Sequence, residues 1–493
     1  MLGGSWTRWV GLGTLGIFAT STRLPLVFAT QPCDMSENTM KRPDGPKTPG
    51  FIQRLEWILD PLGYMERSNK RYPDLFVSKV IGSDGMTIFV SHPQAIKQLL
   101  TNDRKQFTAL STPSEANPTL KPLLGDTTVI MLEGDPHKKR RQLVMPPFHG
   151  DRMRVYGELI SNVTRKVMNQ LPTARPFLAR SAMQSISLQV ILEVVFGLYE
   201  GERCQQLRRR LGELVEIFHS PLSSSFFFIP AIQKDWGAWS PWGKFVRQRQ
   251  QIDDLLYAEI AERRANPDPN RTDILSMLML ARDEEGQPMS EIELRDELMG
   301  LMFGGYESMA TAMAWALYWT HYLPEVRDKL LCELNGLDEY PALMDIVRLP
   351  YLTAVCQESL RIYPIAMITF PRVVREPVEM IGYHLEPGTA VMGCMHLTHQ
   401  REDLYPKREQ FRPERFLERQ FSPYEFFPFG GGVRRCIGEA LALFEMKLIL
   451  ATILSEYQLT LVERKPERPQ RRGVSISPKN GVKMQILGYK ISA

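Results

Sequence analysis

The most constraining feature of this 493-residue chain is the glycine-rich segment Phe429–Gly438, which reads Phe-Gly-Gly-Gly-Val-Arg-Arg-Cys-Ile-Gly. Glycine lets a backbone approach a flat ligand closely, and backbone N–H groups of such a turn moderate the charge of a nearby sulfur. A helix that begins just after Cys436 places its positive dipole end near a thiolate. The segment therefore suits a cysteine thiolate that ligates a bound group, with Arg434 nearby to pair with an acid; the other interpretation is a glycine-rich turn followed by an ordinary buried cysteine.

This segment resembles the haem-binding signature of the cytochrome P450 superfamily. The residues that match its fixed positions are Phe429, Gly432, Arg434, Cys436 and Gly438. The resemblance implies haem b as the cofactor and Cys436 as the axial thiolate ligand of the iron. It also implies a mainly α fold, in which a large helical region and a smaller β-rich portion hold the haem between two core helices.

A second match is the pair Glu358 and Arg361, an acid and a base three residues apart on one predicted helix face. In the family this pair is structural, and its third partner comes from a Pro-Glu-Arg-Phe segment, which supplies Arg415 here. A buried charge is costly unless it is paired. Losing any of the three is therefore expected to impair folding or haem retention.

A third match lies in a long helix predicted to begin with a capping box at Ser290. The segment Phe303–Ser308 resembles the family's small-Gly-x-acid-Thr element, in which the helix is distorted and passes close to the haem. The resemblance assigns catalytic roles to Gly305, Glu307 and Ser308, the last two as a proton relay. Serine in place of threonine loses the methyl group that restricts the rotamer, and Thr311 offers a second hydroxyl.

A fourth match is the basic run 137–141. The resemblance implies that His137 and Arg141, which share one helix face at i,i+4 spacing, bind haem propionates, together with Arg372. The other interpretation of this run is a solvated basic face, which still suits the docking of an acidic electron donor.

Composition limits the classes of partner and compartment. The net charge is +4, which gives no reason to expect nucleic acid as a partner. No Cys-x-x-Cys pair occurs, so neither a disulfide framework nor a zinc site is expected. Scattered single cysteines are typical of a reducing compartment, and the sequence predicts a cytoplasmic protein. The cysteines are Cys33, Cys204, Cys332, Cys356, Cys394 and Cys436.

The first residues leave three interpretations open. Residues 1–39 contain two apolar runs, Trp9–Ala19 and Leu24–Ala29, each shorter than the roughly 20 residues that span a bilayer. They are interpreted as a signal peptide, as a membrane anchor that associates the protein with a membrane, or as a leader upstream of a true start at Met40. Residues 40–493 are predicted to form a single cytochrome P450 domain.

The resemblance implies a monooxygenase that inserts one atom of dioxygen into a substrate C–H bond and reduces the other to water. No flavin or nicotinamide domain follows within the chain, so we expect electrons from a separate ferredoxin or flavodoxin with its reductase. Two segments, Gly45–Pro49 and Phe421–Gly430, resemble a cyanobacterial branch that is associated with fatty-acid, alkane and terpene oxidation.

The segments that line the substrate pocket in this family are apolar here, which predicts a small hydrophobic substrate, most simply a fatty acid or related lipid. Two alternatives stay open: a terpenoid hydroxylase, and a fatty-acid hydroperoxide isomerase or lyase that needs no electron donor. A haem-binding sensor is a third, non-enzymatic alternative. The segments are Pro118–Leu120, Ser224–Ile229, Met302–Phe303, Ile365–Ile368 and Lys479–Val482.

Overall fold

The computed structural model describes residues 41–81, 86–108, 120–150, 152–217, 233–237, 240–338, 341–473 and 475–490. The interpretations of residues 1–39 therefore lie outside the described residues. So do two parts of the predicted pocket lining, Pro118–Thr119 and Ser224–Ile229.

Helices make up most of the regular structure, as the sequence predicted. Within the described ranges, no helix has the length and the apolar character needed to cross a bilayer. The helices are α1 (Gly50–Leu59), α2 (Pro61–Arg71), α3 (Pro93–Thr101), α4 (Lys121–Leu124), α5 (Gly134–Val144), α6 (Arg152–Asn169), α7 (Ala179–Phe196), α8 (Glu202–Glu216), α9 (Pro241–Ala265), α10 (Ile274–Leu280), α11 (Glu291–Tyr322), α12 (Pro324–Asn335), α13 (Leu343–Arg348), α14 (Pro350–Ile362), α15 (Met395–His399), α16 (Arg415–Glu418) and α17 (Glu439–Glu456).

Helix α11 is the axis of the helical region. It begins with the predicted capping box, in which the Ser290 hydroxyl accepts from the Glu293 N–H and the Glu293 carboxylate accepts from the Ser290 N–H. It ends just before Pro324, which cannot continue a helix hydrogen-bond ladder and opens α12. Most of its side chains are buried, so α11 forms the centre of the main hydrophobic core.

Two helices that pack on α11 position the candidate site. Helix α7 is buried along nearly its whole length and packs along α11. Helix α17 also packs on α11, and it begins three residues after Cys436. Residues from this region share one extensive apolar cluster, which includes Leu192, Trp315 and Ile449. The cysteine loop is thus attached to a helix that is fixed in the core.

The β-rich portion consists of small sheets at the edge of the helical region. One sheet has five strands in the order β1-β2-β8-β5-β3, with β2 and β8 parallel. The others are β4-β12-β9, β10-β11 and β6-β7. The strands are β1 (Leu75–Ser78), β2 (Thr87–Val90), β3 (Phe107–Thr108), β4 (Phe177–Leu178), β5 (Arg372–Val374), β6 (Val378–Met380), β7 (Tyr383–Leu385), β8 (Ala390–Gly393), β9 (Tyr457–Leu461), β10 (Pro469–Arg472), β11 (Ser475–Pro478) and β12 (Lys483–Tyr489).

Candidate active site

The segment Phe429–Gly438 folds into a closed loop around Cys436. The Cys436 N–H donates to the Phe429 carbonyl oxygen at 3.0 Å. Gly432 has a φ of 64°, a left-handed conformation that glycine adopts without strain. A Cβ atom on Gly432 would lie 2.4 Å from the Leu100 carbonyl oxygen, so this position has room for glycine alone. The loop is therefore built directly against the end of α3.

The Cys436 thiol is solvent-accessible although protein atoms surround it. Burial raises the pKa of the thiol, while a hydrogen bond from the Gly438 N–H and the charges of Arg141 and Arg435 lower it. Arg141 also donates to the Arg435 carbonyl oxygen at 2.7 Å. Because α17 begins at Glu439, the positive N-terminal end of its dipole also lowers the pKa of the thiol. Burial has the larger effect, so the pKa of the Cys436 thiol is raised overall, and the hydrogen bond and the two positive charges offset part of that rise.

Cys394, which is buried, differs from Cys436 in its surroundings. Cys394 follows β8, outside the glycine-rich loop, and its side chain packs with Met367 and Met392 in a hydrophobic cluster. Burial strongly raises the pKa of its thiol. A thiol enclosed by apolar side chains stays protonated and inert. Cys436 therefore remains the candidate ligand.

The predicted propionate-binding residues His137, Arg141, Arg372 and Arg434 form one basic cluster. The pKa of His137 is lowered to about 3, first by burial and then by the charges of Arg434, Arg141, Arg104 and Arg372. The pKa of Arg434 is lowered to about 10, first by burial and then by the charge of Arg372. Cations that depress one another's pKa in this way favour the binding of an anion.

Arg434 is held by the loop before α5, yet one of its N–H groups has no acceptor. Its Nη1 donates to the carbonyl oxygens of Val129 at 2.9 Å and Ile130 at 3.3 Å. Its Nε is buried without a hydrogen-bond partner among the described residues. Buried N–H groups are normally paired, so this atom marks a place where an acidic group can bind.

The carboxylate of Asp103 organises this cluster, and the sequence analysis missed it. Arg372 Nε donates to Asp103 Oδ1 at 2.6 Å, and the Val433 N–H donates to Asp103 Oδ2 at 3.2 Å. Asp103 follows α3, far from any of the recognised motifs. No pattern of spacing in the sequence could have connected it with Arg372.

A stretch of α11 is accessible in the middle of an otherwise buried helix. Gly304 is exposed and Ser308, one turn later, is half-buried, whereas residues 309–318 are all buried. A Cβ atom on Gly304 would meet nothing within 4 Å, whereas one on Gly305 would lie 2.9 Å from the Ile191 side chain. Gly304 and Ser308 therefore border open space, and Gly305 allows α7 to pack closely.

Glu307 and Ser308 lie in the same turn, and both already have partners within the protein. Arg180 donates to Glu307 Oε1, and Gln184 Nε2 donates to Glu307 Oε2 at 3.0 Å. The Ser308 hydroxyl donates to the Gly304 carbonyl oxygen. The acid and the alcohol are thus held by defined hydrogen bonds.

The distortion that the resemblance implied for α11 is not what this chain shows, since α11 is a continuous α-helix from Glu291 to Tyr322. Its carbonyl groups at this point accept additional side-chain hydrogen bonds instead: Ser187 Oγ donates to the Tyr306 carbonyl oxygen at 3.1 Å. One turn after Glu307, the Thr311 hydroxyl is buried without a partner among the described residues. It remains available as a second hydroxyl.

The network predicted around Glu358 is present and buried. Arg361 donates to Glu358 Oε2 at 2.6 Å and to Oε1 at 2.9 Å. Arg415 Nε donates to Glu358 Oε1 at 3.0 Å. Arg361 also donates to the His399 carbonyl oxygen at 2.9 Å. The three charges therefore fix α14 against the segment that leads to the cysteine loop.

The apolar segments predicted to line a pocket divide into two groups. Phe303, Ile365 and Ile368 are half-buried, which is consistent with lining an internal space. Met302 and Met367 are 2% and 5% exposed and pack in hydrophobic clusters. These two methionines are therefore core residues, because their positions turn them away from the accessible side of their segments.

The mainly α fold of this chain, with an accessible cysteine loop before a core helix, is that of a haem-thiolate protein. The chain matches the family model described as Cytochrome P450 over residues 43–485, and it belongs to that family. Cytochrome P450 135B1 of Mycobacterium tuberculosis is 34% identical over 450 residues, which cover 91% of this chain and 92% of that protein. Cytochrome P450 135A1 of the same organism is 30% identical over 447 residues, which cover 90% and 95%.

Solved structures share the fold. Retinoic acid-bound cyanobacterial CYP120A1 has a TM-score of 0.78 at 24% identity and covers 91% of this chain and 100% of its own. The haem domain of cytochrome P450DA has a TM-score of 0.76 at 19% identity and covers 92% and 97%. The protein is accordingly a cytochrome P450 monooxygenase, whose cofactor is haem b with an axial cysteine thiolate. The accessible Cys436, the glycine loop and the unpaired Arg434 Nε fit that group.

Proposed function

We propose that the protein hydroxylates a fatty acid or a related lipid. The observation that supports this substrate class is the apolar character of accessible side chains that neighbour the candidate site residues. Phe303 adjoins the exposed Gly304 of α11, and Phe370, which is 37% exposed, precedes Arg372 of the basic cluster by two residues. Apolar walls of this kind suit a hydrocarbon chain.

The haem is proposed to be bound through Cys436 as the iron ligand, between α11 and α17. Its propionates are proposed to pair with the basic cluster of His137, Arg141, Arg372 and Arg434. Phe429 and Gly438 close the two ends of the cysteine loop. When bound, the haem would supply the activation of dioxygen, with the Cys436 thiolate as its electron-donating ligand.

Glu307 and Ser308 are proposed to carry protons on the accessible side of α11. Ser308 Oγ holds a proton that it shares with the Gly304 carbonyl oxygen, and a rotation about χ1 turns this proton toward the open space beside Gly304. The Glu307 side chain can then take up a proton from solvent and pass it on to the same region. Gly305 supports both residues because it lets α7 approach α11.

Electrons are proposed to come from an acidic ferredoxin or flavodoxin that is served by its reductase. Exposed basic residues flank the cysteine loop, among them Arg104, Lys138 and Arg435. Complementary charges steer a donor to such a surface and make its association sensitive to salt. We further propose that residues 40–493 act as a single catalytic domain in the cytoplasm.

The first test is a substrate-binding difference spectrum of the haem-loaded full-length protein, titrated with fatty acids of graded length and with sesquiterpenes. A shift from low to high spin with fatty acids supports the proposal, because it reports displacement of the water on the iron. A shift with sesquiterpenes alone would assign the protein to terpenoid hydroxylation and overturn the lipid proposal.

The isomerase or lyase alternative is tested separately with a fatty-acid hydroperoxide in the absence of any electron donor. The relay candidates Glu307 and Ser308 favour the monooxygenase, because a rearrangement of a hydroperoxide needs no external proton supply. Rapid turnover of the hydroperoxide without ferredoxin, combined with no product from fatty acid and reduced ferredoxin, would contradict the proposal.

A further inference from the structure

A polar stripe lies on one face of helix α7. Arg180, Gln184 and Ser187 stand at i, i+4 and i+7, which places them on one face of the helix. Ile191 continues the same face one turn later. Arg180 and Ser187 are buried, with exposed fractions of 6% and 1%. Burying an arginine is costly without compensation, so the stripe needs a structural or functional reason.

The whole stripe is directed at one turn of α11. Arg180 and Gln184 donate to the two different carboxylate oxygens of Glu307. Ser187 Oγ donates to the carbonyl oxygens of Tyr306 at 3.1 Å and Gly305 at 3.4 Å. Both oxygens of the acid and the backbone just before it are therefore held from α7.

Two further observations distinguish this arrangement from an ordinary structural ion pair. The Arg180 Nε is buried without a partner among the described residues, whereas purely structural buried arginines normally satisfy their donors. Arg472 of β10 lies close enough that the charges of Arg180 and Glu307 both act on it. Glu307 is thus an acid that is held by one guanidinium group and one amide, with the charge of a second guanidinium group nearby.

We propose that Arg180 is a positioning residue for the Glu307 carboxylate, and that Gln184 and Ser187 assist it. This inference rests on the proposed role of Glu307 as a proton carrier. Arg180 fixes the direction of one carboxylate oxygen, and Gln184 fixes the direction of the other. Without the arginine, the Glu307 side chain rotates away from this direction, and protons arrive late on the accessible side of α11.

The experiment measures coupling, the fraction of consumed electron pairs that appears as hydroxylated product, in Arg180→Met, Arg180→Lys and wild type. We expect Arg180→Met to lower coupling on the order of tenfold, less than the about 10²-fold or more that the loss of an acid–base group itself can cost. Arg180→Lys keeps the charge and should recover part of the loss. The haem–carbon monoxide spectrum should stay unchanged in both variants, which a purely structural role does not predict.

Two variants keep the test decisive. Gln184→Met removes the second contact without leaving a charge buried, so it should lower coupling even if Arg180→Met folds poorly. Ser185→Ala is the matched control, because Ser185 is exposed on α7 and bonds only within its own helix. The inference is overturned if Glu307→Gln lowers coupling while Arg180→Met keeps wild-type coupling. Where Arg180→Met does not fold, the same comparison is made with Gln184→Met. Wild-type coupling in Glu307→Gln would instead overturn the proposed role of Glu307.

Discussion

Arg372 and Asp103 form a buried ion pair between positions 269 residues apart, with Nε–Oδ1 and Nη2–Oδ2 distances of 2.6 and 3.2 Å. The same carboxylate accepts the Val433 N–H of the cysteine loop. One side chain therefore connects β5, α3 and the loop that carries Cys436. Without it, the Arg372 guanidinium would lose its carboxylate partner in a place that is already rich in positive charge.

We expect Asp103→Ala to destabilise the haem-loaded protein by about 3–5 kcal/mol, the cost of removing one partner of a buried pair. Denaturant unfolding followed by circular dichroism measures the change, and the haem-to-protein ratio after purification should fall as well. Asp338→Ala, at an exposed position, is the control. A free energy of unfolding for Asp103→Ala within about 0.5 kcal/mol of wild type would contradict the structural role.

The ligand assignment separates two cysteines. Cys436→Ser should abolish the thiolate-type spectrum of the reduced carbon monoxide complex, because serine supplies no thiolate to the iron. Cys394→Ser should keep that spectrum, with at most a loss of stability from placing a hydroxyl in an apolar cluster. The opposite pattern of spectra would transfer the ligand role to Cys394.

Ser308→Thr tests the alcohol of the proposed relay. The added methyl group restricts χ1, while the hydroxyl that now donates to the Gly304 carbonyl oxygen is retained. We expect coupling in Ser308→Thr to equal or exceed that of wild type, and Ser308→Ala to lower it. Product and hydrogen peroxide are quantified together for each electron pair. A large fall in coupling for the threonine variant would show that the relay is misassigned.

His321 gives the protein a predictable dependence of stability on acid. Burial lowers the pKa of His321 to about 4 from the usual 6.5. As the pH falls from 6.5 toward 4, the unfolded chain binds a proton that the folded protein does not, so stability declines by up to about 1.4 kcal/mol per pH unit. His321→Gln should flatten this decline in urea unfolding. The exposed control His149→Gln should not, and equal slopes in all three proteins would contradict the assignment.

The parts of this site that the sequence predicted are those whose chemistry is local. The glycine loop, the Glu358–Arg361 pair and the capping box at Ser290 each need residues at short, fixed spacing, so a short segment of sequence contains the whole signal. Asp103 could not be found in this way, because its partners are brought near by packing alone. The polar face of α7 was detectable in principle from the helical spacing of Arg180, Gln184 and Ser187, although its target on α11 was not.

The position of Arg434 has a consequence for biosynthesis. Its hydrogen bond to Val129 spans 305 residues, and the Cys436 loop rests on Leu100 of α3. Nearly nine-tenths of the chain must therefore leave the ribosome before the two sides of the cofactor site can meet. Contacts so distant in sequence form late in folding. Haem capture is accordingly a late event, and a partly made chain must stay soluble while its binding cleft is still open.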